Sequence, residues 1–469
     1  MDERRFTRRN ILQSISVALG SGLTGLAPVS GAFGASSAPA LSKVAGKART
    51  AEEQITLTFA SNASPAAEEP VLNAIIKEFM ARNPNIRVEA TYTPAEQLRE
   101  KLILQLAGGT APDVFRQNDD EVKALAAQGQ LLELDSYMQA LGVNTEAYFP
   151  LAYADVPRWE GKIYAAITGG RPEAIFYNKK MLQEAGVPFP PKNNADAWSW
   201  EEFRSHLPKL VKKDGSGRTL TWAFAWEYWT FDRIAQMNGT DGLVKPDLSE
   251  FIMNQPKNVE VLNELQLLLE EGLAAPYGLW QDVGTTPMFV NGQLAMAALH
   301  SNAQPDCIKA AKEKGLDWDI APWPKFKEKS LSCTYLDAFS VNKATREPEA
   351  AAAFALFLIS EYAAERWMFG PDPQAGVRGP TVPLLTKSFQ DPRWLDPNLA
   401  PSNVQLWEQQ ILNDARFPPS ACYRDLTEPM RPHMERIWNV QGNPQQEMDD
   451  LKPEIDAVLR ACAKESVPH

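Results

Sequence analysis

Residues 85–122 read "NIRVEATYTPAEQLREKLILQLAGGTAPDVFRQNDDEV". The opening nine residues alternate apolar and polar side chains around β-branched positions, the pattern of a strand with one buried face. From Ala95 the apolar residues fall at helical spacing until Gly108-Gly109 stops the run. "DVF" (113–115) reads as the next short strand, and "EVKALAAQGQL" opens another helix. A β-α-β unit of this kind requires parallel pairing with a right-handed crossover, and ligands sit beyond the carboxyl ends of such strands. Gln117, Asn118, Asp119 and Asp120 fall at that end, which makes them candidate ligand-binding residues. Against this stands helix capping by Asp119 or Asp120, a task their side chains suit.

Upstream the same alternation continues. "ITLTFAS" (55–61) is a strand, and Pro70 to Arg82 is a helix. The fold class is therefore α/β, with mostly parallel sheets flanked by helices.

With 469 residues, 44% of them hydrophobic, the chain is long enough for two or three domains with substantial cores. A net charge of −12 and the lack of a dense Lys/Arg run argue against a nucleic-acid partner, since phosphate neutralisation needs clustered cations.

Residues 1–34 stand apart. Arg4, Arg5, Arg8 and Arg9 precede a mildly apolar, glycine-containing stretch from Ile11 to about Leu26, then small residues. This is the pattern of an export signal. Arg8-Arg9, with Thr7 before and Ile11-Leu12 after, resembles the twin-arginine signal. Cleavage is expected after Gly34 or near Gly46. No cysteine near the signal's end offers a lipid attachment site, and no later stretch has the roughly 18 uninterrupted apolar residues of a membrane span. The expectation is a periplasmic protein exported through the twin-arginine pathway, with residues 35–54 a disordered N-terminal segment.

Cys307, Cys333, Cys422 and Cys462 allow three disulfide pairings in an oxidising compartment, and spacing does not choose among them. No Cys-x-x-Cys occurs, and no histidine lies at metal-ligand spacing from a cysteine, so neither metal nor cofactor is expected.

Five segments carry a resemblance when taken in order. They are "PNIRVEATYTPAEQLREKLILQLAGGTAPDVF" (84–115), "LAAQGQLLELDSYM" (125–138), "GKIYAAITGGRPEAIFYNKKMLQEAG" (161–186), "FVNGQLAMAAL" (289–299) and "NKATREPEAAAAFALFLIS" (342–360). Together they resemble the extracellular solute-binding proteins of family 1, the maltose-binding-protein-like components of ATP-driven sugar importers. The resemblance runs from about Ile55 to Leu459 and implies a two-lobed periplasmic-binding-protein fold with the ligand in the cleft between lobes. Lobe one would comprise 51–165 and 338–387, and lobe two 166–337 and 388–469. Crossovers would fall near "AAITGGR", where Gly169 and Gly170 lend backbone freedom, and near "CTYLDA" (333–338).

Position by position, the resemblance points to Gln117, Asn118 and Asp120 for sugar hydroxyls. It adds Thr168, Gly169, Gly170 and Arg171 after the first crossover, Ser301 and Asn302 in "LHSN", Tyr335 and Asp337 in "TYLD", and Arg378 in "AGVRGPTVP". Relatives often place a tryptophan in the "LHSN" segment, and this sequence does not. Arg171 and Arg378 together would accept an acidic sugar through bidentate pairing; either would serve equally in a salt bridge. The residues themselves give an independent signal: five of thirteen tryptophans lie between 198 and 229. Flat rings suit the C–H faces of pyranoses, so Trp226, Trp229 and Phe231 are candidates, with Trp198, Trp200 and Trp222 assigned to packing.

A glycosidase would place Asp119 or Asp120 with Asp337 as acid and base. With four histidines and no hydrolase, P-loop or dinucleotide motif, that reading is the weaker one. The expected partners are a saccharide and the permease subunits of an ABC importer, with the protein a monomer.

Overall fold

A computed structural model describes residues 54–465, apart from 66, 144–154, 229, 328, 383–385 and 413–422. All of them fall in the unit Leu41–His469. Seven strands share one sheet: β1 (Ile55–Ser61), β2 (Ile86–Tyr92), β3 (Val114–Asn118), β4 (Ala166–Asn178), β5 (Met296–His300), β6 (Trp318–Ala321) and β7 (Thr334–Val341). Their order is β6-β4-β7-β3-β1-β2, with β5 also paired to β4.

The N-terminal elements follow the sequence pattern closely. β1 buries Leu57 and Phe59 on one face. The helix Glu69–Arg82 starts with a proline in its first turn and buries Val71, Leu72, Ile75, Ile76 and Phe79, positions that share one side of a 3.6-residue repeat. The helix Ala95–Ala107 ends where the two glycines begin. Phe354, from the alanine-rich helix Pro348–Phe357, meets Phe59 edge-on at 5.3 Å and Phe79 at 5.0 Å. Small residues along that helix let it lie close to the sheet.

Two expectations are corrected. The sheet is parallel only across β2, β1 and β3; β7 joins β3 antiparallel, and β4 joins β7, β5 and β6 antiparallel. Second, β4 is one continuous strand of 13 residues, buried along its length except for a slightly exposed Arg171. Its first part pairs with β7 and its second with β5 and β6. Neither Gly169 nor Gly170 has a positive φ. A Cβ at Gly169 would lie 2.1 Å from Cγ2 of Thr381 and 2.9 Å from the Val382 carbonyl, so glycine is required here by close approach of another backbone.

The cysteines resolve in part. Cys462 is disulfide-bonded and Cys307 is a buried thiol, while Cys422 lies outside the described residues. No helix among the described residues is long and apolar enough to cross a membrane.

Candidate functional site

The site grows from the carboxyl end of β3. Asp113, just before the strand, accepts hydrogen bonds at Oδ2 from the backbone N–H and the hydroxyl of Thr58, at 2.8 and 2.7 Å, and at Oδ1 from the Thr345 hydroxyl at 2.6 Å. That clamp sets the register of β3 beside β1. The strand then runs three residues further than its sequence suggests, through Arg116, Gln117 and Asn118.

Pairing brings charges together. In the register of β7 on β3, Asp337 lies opposite Asn118, and on β4 Tyr335 lies opposite Arg171. Asp337 is thus a diagonal same-face neighbour of Arg116 on one side and Arg171 on the other, within reach of long side chains. The register between β7 and β4 shifts between Leu336 and Ala338, an irregularity of the kind that re-aims side chains.

Asp337 Oδ1 accepts from Arg116 Nη2 at 2.5 Å and from Arg171 Nη2. Arg116 also donates to Glu68 Oε1 at 3.0 Å and to the Asn62 carbonyl at 2.6 Å. Burial alone would raise the Asp337 carboxyl, but Arg116 and Arg171 hold it below the usual carboxylate range. Asp337 and Arg116 are both buried.

A second cluster adjoins the first and was not foreseen. Glu173 lies opposite His300 in the pairing of β4 and β5. Its Oε2 accepts from Trp323 Nε1 and from Arg233 Nη1, both at 2.6 Å, and its Oε1 lies 3.9 Å from His300 Nε2. Arg233 stacks over the Trp323 ring at 4.7 Å. His300 Nε2 is 3.1 Å from Glu227 Oε2, and Nδ1 is 2.8 Å from the Arg171 carbonyl. Burial opposes a charge on His300, yet Glu227 and Glu173 raise its pKa. Glu173 is pushed up by burial despite Arg233, whereas at Glu227 His300 and Arg233 outweigh burial and lower the value. The Tyr335 ring lies 4.8 Å from that of His300.

These groups were missed because each is isolated in sequence: Glu173 precedes an apolar run, Glu227 hides among aromatics, and His300 ends "AMAALH". A lone charge within or at the end of a buried strand, as at Glu173 and His300, was the available signal.

The expected residues divide. Gln117, Gly170, Arg171, Tyr335 and Asp337 lie on the adjoining strands β3, β4 and β7. Gln117 Nε2 donates to Ser340 at 2.7 Å. Asn118 is the residue before the helix Asp119–Ala127, and its backbone N–H donates to Glu121 at 3.0 Å, so it, rather than Asp119 or Asp120, holds the capping position. Asp120 sits in that helix's first turn, its side chain outside the described set. Asn302 follows β5 in the turn Ser301–Ala303 and is half-buried. Trp229 lies outside the described residues.

Three expectations fail. Trp226 is completely buried, 4.6 Å from Trp280 and 5.8 Å from Trp438. Phe231 is equally buried, on the helix Thr230–Met237 against Trp438. Residues 223–226 are buried without alternation, so Trp226 packs inward beside Phe224. Arg378 is buried as well. It donates to the carbonyls of Trp394, Asp396 and Pro401 at 2.7, 2.8 and 2.9 Å, and also to that of Leu399. Burial lowers its pKa to about 10. With its donors bound to backbone, it holds a loop together and does not face a ligand. Its neighbours Thr381 and Val382 instead approach β4, where Val382 exchanges backbone hydrogen bonds with Gly170 at 3.0 and 3.1 Å.

Several buried polar atoms on these strands have no hydrogen-bond partner in the protein: Gln117 Oε1, Asp337 Oδ2, Thr168 Oγ1, Arg171 Nε and, beside them, Thr381 Oγ1. Such groups are costly to leave unpaired, and these five lie on β3, β4, β7 and the adjoining loop.

The arrangement of strands and helices is that of the α/β periplasmic-binding-protein fold. Superposition gives a TM-score of 0.74 with an ABC substrate-binding protein of Listeria monocytogenes in complex with cycloalternan, at 21% identity over 87% of this chain and 100% of that one. The GacH receptor of Streptomyces glaucescens, solved unliganded and with acarbose, gives 0.74 at 20% identity over 87% and 99%. Residues 62–374, more than half of the chain, match the bacterial extracellular solute-binding proteins, and the chain belongs to that family. It is 24% identical to the maltotriose-binding protein of Pyrococcus abyssi over 263 residues, covering 55% of this chain and 51% of that protein. The chain spans about half the length of the curated relatives it matches.

Proposed function

We propose that the protein is the substrate-binding component of an ABC importer, that it captures a neutral sugar or oligosaccharide, and that it delivers it to a membrane permease without turning it over. The observation that carries this reading is the gathering of unpartnered polar atoms around a charge-balanced site. Glu68 and Asp337 are matched by Arg116 and Arg171, and Glu173 and Glu227 face Arg233 and His300. An acidic sugar would need a spare cation; Arg171 is engaged by Asp337 and Arg378 by backbone. Hydroxyls, as donors and acceptors at once, suit the orphaned groups. Relatives described with cycloalternan, acarbose and maltotriose support a saccharide. Asp337, held ionised by two arginines, is poorly suited to serve as a glycosidase acid.

In this reading lobe one comprises 51–165 and 338–387, lobe two 166–337 and 388–469, and β4 and β7 carry the chain between them. Ligand that touches both lobes favours the closed form in proportion to its differential affinity. The N-terminal arginine pair would route the protein through the twin-arginine pathway to the periplasm, where it acts as a monomer.

A thermal-shift screen of neutral and uronic-acid oligosaccharides tests the proposal, because a ligand specific for the folded state raises the melting temperature by mass action. A neutral oligosaccharide should raise it and be recovered intact. Stabilisation by acidic sugars alone would overturn the neutral assignment, and hydrolysis would overturn the importer reading.

A further inference from the structure

Glu173, Glu227 and His300 present one carboxylate oxygen each and one imidazole nitrogen, all within 4.8 Å of one another. Two features prepare these atoms for something other than each other. A carbonyl only accepts, so the 2.8 Å contact with Arg171 places a proton on His300 Nδ1 and turns Nε2 toward the two glutamates. A backbone carbonyl behind Nδ1 is also how metal-bound histidines are oriented. Glu173, in turn, is held at Oε2 by Trp323 and Arg233, which leaves Oε1 directed at Nε2. Glu227 has a side chain 38% exposed and supplies both the third donor and a route from solvent.

We propose that Glu173, Glu227 and His300 form a binding site for a divalent transition metal of the zinc class, with at least one coordination position open to solvent or to a hydroxyl. One nitrogen and two carboxylate oxygens suit zinc, cobalt or nickel rather than calcium or magnesium, which prefer all-oxygen shells. Zinc bonds of about 2.0–2.2 Å require donor atoms within roughly 3.4 Å of each other. Glu227 Oε2, at 3.1 Å, is already within that reach of His300 Nε2, whereas Glu173 Oε1, at 3.9 Å, has to close by about half an ångström. Any proton held between Nε2 and Glu227 is displaced by the metal and leaves to solvent. Arg233 and Arg171 stand close by and disfavour a dication, which places the affinity below that of closed structural zinc sites.

This site does not depend on what fills the cleft, so metal is measured without sugar. The full-length protein, stripped with chelator, is titrated with zinc chloride by calorimetry in two buffers of different protonation enthalpy, and with Co²⁺ by visible absorption. One saturable equivalent is expected, with about one proton released per zinc near pH 7. Glu227→Gln should weaken binding at least roughly tenfold, and His300→Gln should remove the Co²⁺ ligand-field bands. His433 also has a carboxylate partner, Glu447 at 2.7 Å, so the effect of Glu227→Gln decides the assignment rather than stoichiometry. Should His300→Gln fail to fold, Glu227→Gln remains informative because its side chain is partly exposed. Equal zinc affinity in wild type and Glu227→Gln, or no saturable binding, would overturn the proposal and leave the sugar reading untouched.

Discussion

The carbonyl of Arg171 accepts the Nδ1 proton of His300 at 2.8 Å, while the guanidinium of the same residue grips Asp337. One position on β4 therefore joins two buried charge clusters, one spread over β3 and β7 and the other over β5 and the segment around Glu227.

The first prediction concerns pH. Glu227 and Glu173 raise His300 above its ordinary value of about 6.5 against the effect of burial. For a base whose folded pKa is raised, the stabilisation is fully present below the unfolded value and is lost as pH rises through the folded one. Besides the two glutamates, His300 faces Arg171, Arg233 and Tyr335; the Arg171 carbonyl also favours its charge, and burial opposes it. The melting temperature of the wild type should thus fall from about pH 6.5 upward more steeply than that of His300→Gln. Parallel profiles in scanning calorimetry would mean that His300 is neutral in the fold.

Asp337 has the opposite sign. Its folded pKa is depressed, so its contribution is present above about pH 3.9 and is lost as pH falls through the folded value. At neutral pH, Asp337→Asn leaves Arg116 and Arg171 without their shared counter-charge. Removing one member of a buried ion pair typically costs about 3–5 kcal/mol. Urea unfolding at pH 7 measures this, and a loss under about 1 kcal/mol would show that Glu68 alone suffices for Arg116.

Much of this was legible in sequence where local pattern and tertiary role coincide. The boundaries of β1, β2 and the helix Ala95–Ala107 follow alternation and glycine stops. Pattern failed where the same residue types serve two ends. Arginine beside glycine reads alike whether it meets a ligand or, as Arg378 does, a set of backbone carbonyls. Trp226 and Phe231 belong to a cluster with Trp280 and Trp438, contacts formed across long sequence separations. Glu173 and His300 meet only through strand pairing, which no single segment encodes.

For Arg378 the expected consequence is structural. Arg378→Gln leaves several buried carbonyls among Trp394, Asp396, Leu399 and Pro401 without donors, each a desolvation penalty of about 1–3 kcal/mol before relaxation. Melting temperature should drop by several degrees, while calorimetric affinity of the folded fraction for the best oligosaccharide stays within about twofold. A large loss of affinity with unchanged melting would return Arg378 to the ligand site.

Trp226 provides a parallel case in the core. Trp226→Ala removes a completely buried ring packed between Trp280 and Trp438, and such truncations cost about 3–5 kcal/mol. Chemical denaturation should show that loss with little change in ligand affinity. The reverse outcome would require the ring to reach the ligand in another conformation.

The close approach at Gly169 yields the last prediction, a coupled one. A Cβ there would meet Thr381 Cγ2 at 2.1 Å and the Val382 carbonyl at 2.9 Å. Gly169→Ala should therefore push the 381–382 segment away from β4 and weaken the paired hydrogen bonds between Gly170 and Val382, lowering stability by about 1–3 kcal/mol as overpacking does. Because Thr168 and Thr381 both bring unpartnered hydroxyls to this strand, sugar affinity should fall with it. Thr381→Ser deletes Cγ2, the nearer obstacle, and keeps the hydroxyl. In the Gly169→Ala background it should recover part of both stability and affinity, giving a coupling energy of about 0.5–3 kcal/mol in a double-mutant cycle. Strict additivity of the two substitutions would place the strain at the Val382 carbonyl instead, and recovery of stability without affinity would remove Thr381 from the binding surface.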